Sequence, residues 1–365
     1  MLHHHLPTAP VVETPSSLLR LCPAHVPTPL LHLPRLAAAL GVAAVLAKDE
    51  GCRPLGSFKA LGGVYAGLRV LARAAGLPVT ALLDPSRPYT ALPTLVCASD
   101  GNHGLAVAAA ARLAGAQARV FLPAAISEGR VARILANGAA VVRVPGTYDD
   151  AVREAAGAAR GGSALLVADT SEDLTDPVVA DVMAGYGVIA EEIRAQLIED
   201  RHAAPTHVFV QAGVGSLAAA MADGLRAVLA PPARIVVVEP AAAACVEAGL
   251  AAGRPIAMTG ALETAAEMLS CGEASASALA VLRRQGADAL VVLEAALLTA
   301  PGFLGAHGGP ETTPSGAAGL AGLRAALADS SVAGRLDLGP RSRVLLLITE
   351  ACLPDGRASR NEVFL

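Results

Sequence analysis

The sequence predicts an α/β protein of two doubly wound domains, with the site of function in the cleft between them. Three observations carry that expectation. First, Val- and Ala-rich strand patterns alternate with helical patterns in two successive blocks, the signature of parallel sheets covered on both faces. Second, 365 residues, 53% of them hydrophobic, allow two domains with ordinary cores. Third, the mean hydropathy of +0.51 comes from Ala and Val spread along the chain. Arg112 and Arg119 interrupt even the Ala-rich stretch after His103, so no run of about 18 apolar residues marks a membrane span.

Residues 1–20 read as a loose arm. Thr28-Pro29-Leu30 leads into a helical pattern at Leu33, Leu36 and Leu40, and a strand at Val42–Ala47 is stopped by polar Lys48-Asp49-Glu50. Gly56-Ser57 opens a helix with Phe58, Leu61, Tyr65 and Leu68 on one face. Past the stretch from Pro85 to Pro93, the first block begins with strand Thr94–Ala98 and an Ala-rich helix to about Gly115. Strand Ala118–Leu122, helix Ser127–Asn137, strand Ala140–Val144, helix Tyr148–Arg160 and strand Ala164–Ala168 follow. The second block has helix Val178–Glu199, strand Thr206–Gln211, helix Ser216–Leu229 and a strand Arg234–Val238 that stops at Glu239-Pro240. Helices near Glu263 and over Ala274–Arg284 precede strand Ala289–Leu293. A Gly-rich segment from Gly302 to Gly316, helix Ala317–Ala328 and strand Arg343–Ile348 complete the core.

Composition excludes several classes. A net charge of −4, 2% aromatics and no Trp leave neither a basic stripe nor a stacking platform for nucleic acid. The six cysteines are scattered without a Cys-x-x-Cys pair, which reads as reduced thiols of a cytoplasmic protein and gives no metal site. Met1 to Ser17 lacks a basic segment followed by an apolar core, so no secretory signal is expected. His3, His4 and His5 read as part of a flexible end.

Only Lys48 and Lys59 are lysines, so chemistry that needs a side-chain primary amine has two candidates. Lys59 opens a helix, where the positive end of the dipole, with burial, is expected to lower its pKa and give a nucleophilic amine. An ordinary surface lysine is the competing account. Lys48, in a Lys-Asp-Glu run, reads as the partner of a neighbouring carboxylate. The turn Gln211-Ala212-Gly213-Val214-Gly215-Ser216 lies between a strand and a helix, where small residues let N–H groups converge on an anion. A phosphate cradle, a dinucleotide turn with Glu239 on the ribose, and a plain βα turn all fit that pattern. The loop Ser99-Asp100-Gly101-Asn102-His103-Gly104 sits at a strand's carboxyl end, the usual ligand position in open α/β sheets. Asp100 and Asp169 both end strands of one block and could face one cleft as proton acceptors, or serve as turn residues.

Together these residues resemble the fold-type II family of pyridoxal-phosphate enzymes, whose architecture is that of the tryptophan synthase β chain. The resemblance runs from about Pro27 to Glu350 and is strongest to its diaminopropionate ammonia-lyase branch. Its carriers include Thr28-Pro29-Leu30, Lys48-Asp49-Glu50, Ser57-Phe58-Lys59-Ala60-Leu61-Gly62, Asp100-Gly101-Asn102-His103, Asp169-Thr170, Gly185-Tyr186, Gly213-Val214-Gly215-Ser216, Glu239-Pro240 and Cys271-Gly272-Glu273. The resemblance implies that Lys59 holds pyridoxal 5′-phosphate through its amine. Gly213, Val214, Gly215 and Ser216 would bind the phosphate, Asn102 the ring hydroxyl, Phe58 the ring face and Thr349 the pyridine nitrogen. Ser99, Asp100, Gly101 and His103 would receive the substrate, Asp100 acting on the D-enantiomer and Asp169 on the L-enantiomer. It further implies a homodimer, a small α/β domain over 71–189, and a large cofactor-binding domain over 1–70 and 190–365.

The implied reaction is elimination of ammonia from 2,3-diaminopropionate, giving pyruvate and ammonia. Several positions depart from the branch. Leu105 stands where Arg is usual, Asp169-Thr170-Ser171-Glu172 where Asp-Thr-Ala followed by an aromatic is usual, and Thr349-Glu350-Ala351-Cys352 replaces a Thr-Glu-Gly-Asp type of motif. The run Glu311 to Ala318 is similar to serine and threonine dehydratases. A dehydratase of serine, threonine or hydroxyaspartate, or a β-replacement enzyme, is therefore the alternative. A regulatory protein with a dinucleotide on its glycine loop is the reading from another class.

Overall fold

The computed structural model describes residues 13–19, 25–87, 91–99 and 101–352. Within the stretch expected to be a loose arm, α1 (Pro15–Leu19) is helical, while His3, His4, His5 and Cys22 lie outside the described residues. β1 (Leu30–His32), α2 (Pro34–Leu40) and β2 (Ala44–Asp49) follow. β2 runs through Lys48 and Asp49 instead of stopping before them. The cause is tertiary: Lys48 is fully buried, and its Nζ donates to Glu192 Oε2 at 2.6 Å, the Thr28 carbonyl at 2.7 Å and Gln196 Oε1 at 2.9 Å. A charge so completely partnered can continue a central strand. Its main carboxylate lies 144 residues away, not in the adjacent Asp-Glu pair.

Two 3₁₀ turns, Glu50–Cys52 and Pro54–Gly56, then redirect the chain into α3 (Lys59–Ala75), and the short α4 (Val79–Leu82) follows. Leu55 in the second turn has φ +66°, a left-handed conformation that costs a branched residue of order 1 kcal/mol. Burial of its side chain and a hydrogen bond from Arg133 Nη2 to its carbonyl at 2.7 Å hold it there, four residues before Lys59.

The first alternating block is β3 (Thr94–Ala98), α5 (Asn102–Ala114), β4 (Ala118–Pro123), α6 (Glu128–Ala136), β5 (Ala140–Val144), α7 (Tyr148–Ala159) and β6 (Ala164–Leu166). It forms a parallel sheet in the order β5-β4-β3-β6, so the strand order reverses at β3. α8 (Pro177–Glu199) returns the chain to the second block, beginning with β7 (His207–Gln211), α9 (Ser216–Leu225), β8 (Arg234–Pro240) and α10 (Cys245–Ala252). α11 (Ala276–Arg284), β9 (Asp288–Val292), α12 (Glu294–Ala306), α13 (Ala318–Ala328), α14 (Ser330–Leu336) and β10 (Arg343–Ile348) complete it. This sheet reads β1-β2-β10-β7-β8-β9, parallel except for β1. The predicted α/β class and both parallel sheets are therefore present. No helix among the described residues is long and apolar enough to cross a membrane.

Differences from expectation have local causes. β8 includes Glu239 and Pro240, since Glu239 is buried and its two carboxylate oxygens accept from the N–H groups of Val246 and Glu247 at 2.7 and 2.8 Å. Only a 3₁₀ turn, Glu267–Leu269, forms near the helix expected at Glu263. The segment from Gly302 is not wholly loop: α12 continues through Pro301 and Gly302 because Leu297, Ala300 and Leu304 are buried on one face against α13. Packing there outweighs the poor helix propensity of Pro and Gly.

The two blocks meet through α3 and α8. A Cβ on Gly62 would come within 2.4 Å of the Tyr186 ring, and one on Gly185 within 2.7 Å of Gly62 Cα. Glycine at both positions is what lets these helices touch backbone to backbone, directly behind Lys59.

Candidate active site

The carboxyl ends of both sheets open onto one cavity. β3 delivers Ser99 and the loop before α5, β7 delivers Gln211 and the glycine turn, and β10 delivers Thr349 and Glu350. This is the crevice position expected for a ligand at a point where strand order reverses.

At its floor, Lys59 Nζ donates to Asp169 Oδ2 at 2.6 Å, and the Tyr148 hydroxyl donates to Asp169 Oδ1 at 2.9 Å. Tyr148 is aimed by a capping box in which the Thr147 and Asp150 side chains satisfy the first turn of α7. Burial disfavours the Lys59 ammonium, but the adjacent Asp169 carboxylate outweighs it and holds the amine above its ordinary value. The sequence argument anticipated a lowered value. It counted burial and the helix dipole and could not count a counter-ion 110 residues away. Burial likewise disfavours the Asp169 carboxylate, and Lys59 reverses that, holding it well below the usual range. Beside the pair, the Phe58 ring meets Tyr186 with centroids 4.8 Å apart, and the Tyr186 hydroxyl is pushed up to about 12 by burial.

Opposite Lys59, Gly215 caps α9 at φ +96°, and no side chain caps that helix end. Its first N–H groups are left for an anion. A Cβ on Gly213 would lie 2.8 Å from Cys271 Sγ, so a side chain there would fill the cradle. The Ser216 hydroxyl donates to the Asp169 carbonyl at 3.3 Å, tying the start of α9 to Asp169.

On the remaining wall, Asn102 Nδ2 donates to Glu350 Oε2 at 2.5 Å, and the Thr313 hydroxyl donates to Glu350 Oε1. Burial raises the Glu350 carboxyl despite those hydrogen bonds. Ser99 Oγ accepts from the N–H groups of Gly101 and Gly104, shaping the loop. His103 Nε2 donates to the Val167 carbonyl at 2.8 Å, and burial lowers its pKa, so the ring is a neutral wall of the cavity. Thr349 Oγ1 accepts from Gln211 Nε2 at 2.9 Å.

Lys59, Phe58, Ser99, Asn102, His103, Asp169, Gly213, Val214, Gly215, Ser216 and Thr349 thus line one cavity, and Gly101 sits in its loop. Asp100 lies outside the described residues. Glu239 is turned into the helix-capping contact described above, which leaves no free ribose acceptor. Sequence reasoning missed Tyr148 and Glu350 as site residues, and it gave Gln211, the first residue of the glycine turn, no role of its own. Gln211 and Glu350 stand inside quoted motifs, whereas nothing local marks Tyr148.

The family model described as pyridoxal-phosphate dependent enzyme matches residues 21–350. The diaminopropionate ammonia-lyase of Salmonella typhimurium strain LT2 is 36% identical over 211 residues, 54% of this chain and 51% of that protein. In such alignments the chain spans about half the length of the curated relatives it matches. The fold extends further: the selenomethionine holo structure of diaminopropionate ammonia lyase from Escherichia coli superposes with a TM-score of 0.82 at 30% identity, covering 94% of this chain and 90% of that one. A T.th. threonine deaminase superposes with a TM-score of 0.73 at 27% identity, covering 93% and 97%.

Proposed function

The chain belongs to the pyridoxal-phosphate dependent enzyme family, and from that premise we propose that it eliminates ammonia from 2,3-diaminopropionate, giving pyruvate and ammonia. The observation that carries the reading is the Lys59–Asp169 pair at 2.6 Å on the floor of the cavity, an amine and a base within one hydrogen bond. The relatives named above supply the substrate.

The donor set suits the cofactor. Lys59 offers the amine, the uncapped start of α9 an anion cradle with no room for a side chain at Gly213, Asn102 an amide for the ring hydroxyl and Thr349 a hydroxyl for the ring nitrogen. When bound, pyridoxal phosphate supplies a sink for the electron pair left at the substrate's α-carbon. Phe58, which lines the cavity beside Lys59, would pack against its ring. Asp169, kept ionised by Lys59 and oriented by Tyr148, takes the α-proton of the L-substrate at its carboxylate. On the same reading, Asp100 serves the D-substrate. The loop of Ser99 and Gly101 receives the substrate carboxylate, while His103, whose one N–H is committed to the Val167 carbonyl, serves as wall and not as a donor to it, and Glu350 holds Asn102 in place. The same reading takes residues 71–189 as a small domain within a larger one (1–70 and 190–365), and the protein as a cytoplasmic homodimer.

A dehydratase acting on serine, threonine or hydroxyaspartate, or a β-replacement enzyme, is the second reading. Leu105 in place of Arg and the dehydratase-like run from Glu311 favour it. Comparing kcat/KM of the holoenzyme for L-2,3-diaminopropionate, L-serine and L-threonine decides. Preference for the diamine by about tenfold or more supports the first reading, and preference for a β-hydroxy substrate replaces it with the second.

A further inference from the structure

Tyr186 is 1% exposed and lines the cavity, yet among the described residues its hydroxyl has no hydrogen-bond partner. A buried hydroxyl left unpaired is costly and calls for a reason. The ring is fixed in place: a Cβ on Gly62 would come within 2.4 Å of it, and its centroid lies 4.8 Å from that of Phe58. Lys59 Nζ stands 5.7 Å from the centroid of the same Phe58 ring, and the amine and the Tyr186 hydroxyl shift each other's pKa. The two share one corner of the cavity. Two other unpartnered atoms line it, His103 Nδ1 and Gln211 Oε1. Both can only accept, because the His103 proton is on Nε2, committed to the Val167 carbonyl, and Oε1 is an amide oxygen. Of the three, Tyr186 alone has a proton to give.

The site needs such a donor. Lys59 occupies Asp169 Oδ2 at 2.6 Å while Tyr148 occupies Oδ1 at 2.9 Å, so both oxygens of the base are engaged. An ammonium held there keeps the carboxylate ionised but far below its ordinary range, which makes it a weak proton acceptor. When the substrate's nitrogen takes over the bond to the cofactor, its two hydrogens pass to the lysine nitrogen, and a neutral amine is set free beside Asp169. Asp169 can take the α-proton only if that amine is kept off it.

We propose that Tyr186 is a positioning residue whose hydroxyl donates to the freed Lys59 amine and holds it neutral and away from Asp169. The proposal rests on the reading that Lys59 carries the cofactor. Tyr186 acts through Lys59 in this role and gives the amine a second seat. The other titratable groups about Nζ are Cys97, Cys271 and the neutral His103.

The chain has only two lysines, so protein labelled with ¹⁵N at the lysine side chains gives two resonances, with Lys48, buried on Glu192, as the reference. Pyridoxamine 5′-phosphate fills the cofactor site with an amine of its own and leaves Lys59 free, which reproduces the released state. In that complex Lys59 of wild type is expected to titrate about one pH unit below Lys59 of Tyr186→Phe, the worth of one hydrogen bond to the neutral amine. In cofactor-free protein, where Asp169 holds Lys59, both are expected to stay protonated throughout the same titration. Tyr186→Phe keeps the ring and makes the corner more apolar, which by itself would lower the variant's value, so the sign separates the two accounts. Equal values, or a lower one in the variant, overturn the proposal. Should the variant fail to fold, wild type decides alone: a Lys59 that titrates at or above its ordinary 10.5 in the filled site overturns the proposal, and one below it supports it. Borohydride reduction of wild type loaded with pyridoxal phosphate checks the premise separately. No adduct on Lys59 sinks the reading of that lysine, whereas an adduct on Lys59 without the titration difference sinks only the role of Tyr186.

Discussion

Replacing Gly185 with alanine puts one methyl group between α8 and α3. Its Cβ would lie 2.7 Å from Gly62 Cα, 2.8 Å from the Leu61 carbonyl oxygen and 3.0 Å from Gly62 N, all backbone atoms that no rotamer change can move. Carbon contacts are comfortable near 3.5 Å, so the helices must part by roughly 0.8 Å. Gly62 is one turn beyond Lys59 and Tyr186 is the next residue of α8, so the displacement falls on the amine and on the ring beside it. Overpacking costs about 1–3 kcal/mol, and alanine returns about 1 kcal/mol of helix propensity, leaving a net loss of roughly 0–2 kcal/mol. Unfolding entropy of about 2.1 cal/mol/K per residue turns that into a fall in Tm of no more than about 3 °C for a chain of this length. A misplacement approaching 1 Å costs on the order of 10²-fold in rate. The signature is thus a large loss of kcat/KM for pyruvate release from a protein whose thermal melt has scarcely moved. Activity within about threefold of wild type, or a loss that merely follows a much larger drop in Tm, would refute the account of why these two glycines are there.

Three further outcomes follow from buried charges. Glu192 accepts from Lys48 at 2.6 Å and from Arg53 Nη1 and Nη2 at 2.9 and 2.7 Å, so Glu192→Gln leaves two buried cations facing Glu50 alone. It should cost about 3–5 kcal/mol, read by thermal melts. Burial works against the Glu192 carboxylate, but Arg53 and Lys48 hold it below its ordinary 4.5. Its contribution is complete above that value and disappears as pH falls through the folded value, so wild type and variant converge in acid. Glu239 has the opposite sign. Burial pushes it up to about 8, so the folded state binds the extra proton and wild type loses stability as pH rises from about 4.5 to 8. Glu239→Gln should flatten Tm against pH over that window, and an unchanged slope would count against the assignment. Asp169→Asn removes the partner that keeps Lys59 protonated, so cofactor-free variant should react with an amine-acylating reagent at pH 8 about tenfold faster than wild type. Mass spectrometry reads it cleanly because the only other lysine, Lys48, is fully buried.

Elements with strong local patterning were legible in the sequence. Strands Thr94–Ala98, Ala140–Val144 and Arg343–Ile348 begin and end where alternation and flanking turns place them. What escaped was set by distant contacts. β2 runs through Lys48 because α8 supplies Glu192, and β8 runs through Glu239 because the start of α10 supplies two N–H donors. α12 forms through Pro301 because its buried face packs on α13. The same division holds at the site. Lys59, Asn102 and the glycine turn were visible as motifs, whereas the state of Lys59 depends on Asp169, 110 residues away.

The most direct test of the central claim is pyruvate release from L- and D-2,3-diaminopropionate by wild type, Asp100→Asn and Asp169→Asn, with Lys59→Ala as the blank. The account predicts turnover of both enantiomers by wild type, none by Lys59→Ala, selective loss of the D-activity in Asp100→Asn and of the L-activity in Asp169→Asn. No pyruvate from either enantiomer, in a protein that still binds pyridoxal phosphate, would contradict the ammonia-lyase reading, and equal loss of both activities in each aspartate variant would contradict the two-base arrangement.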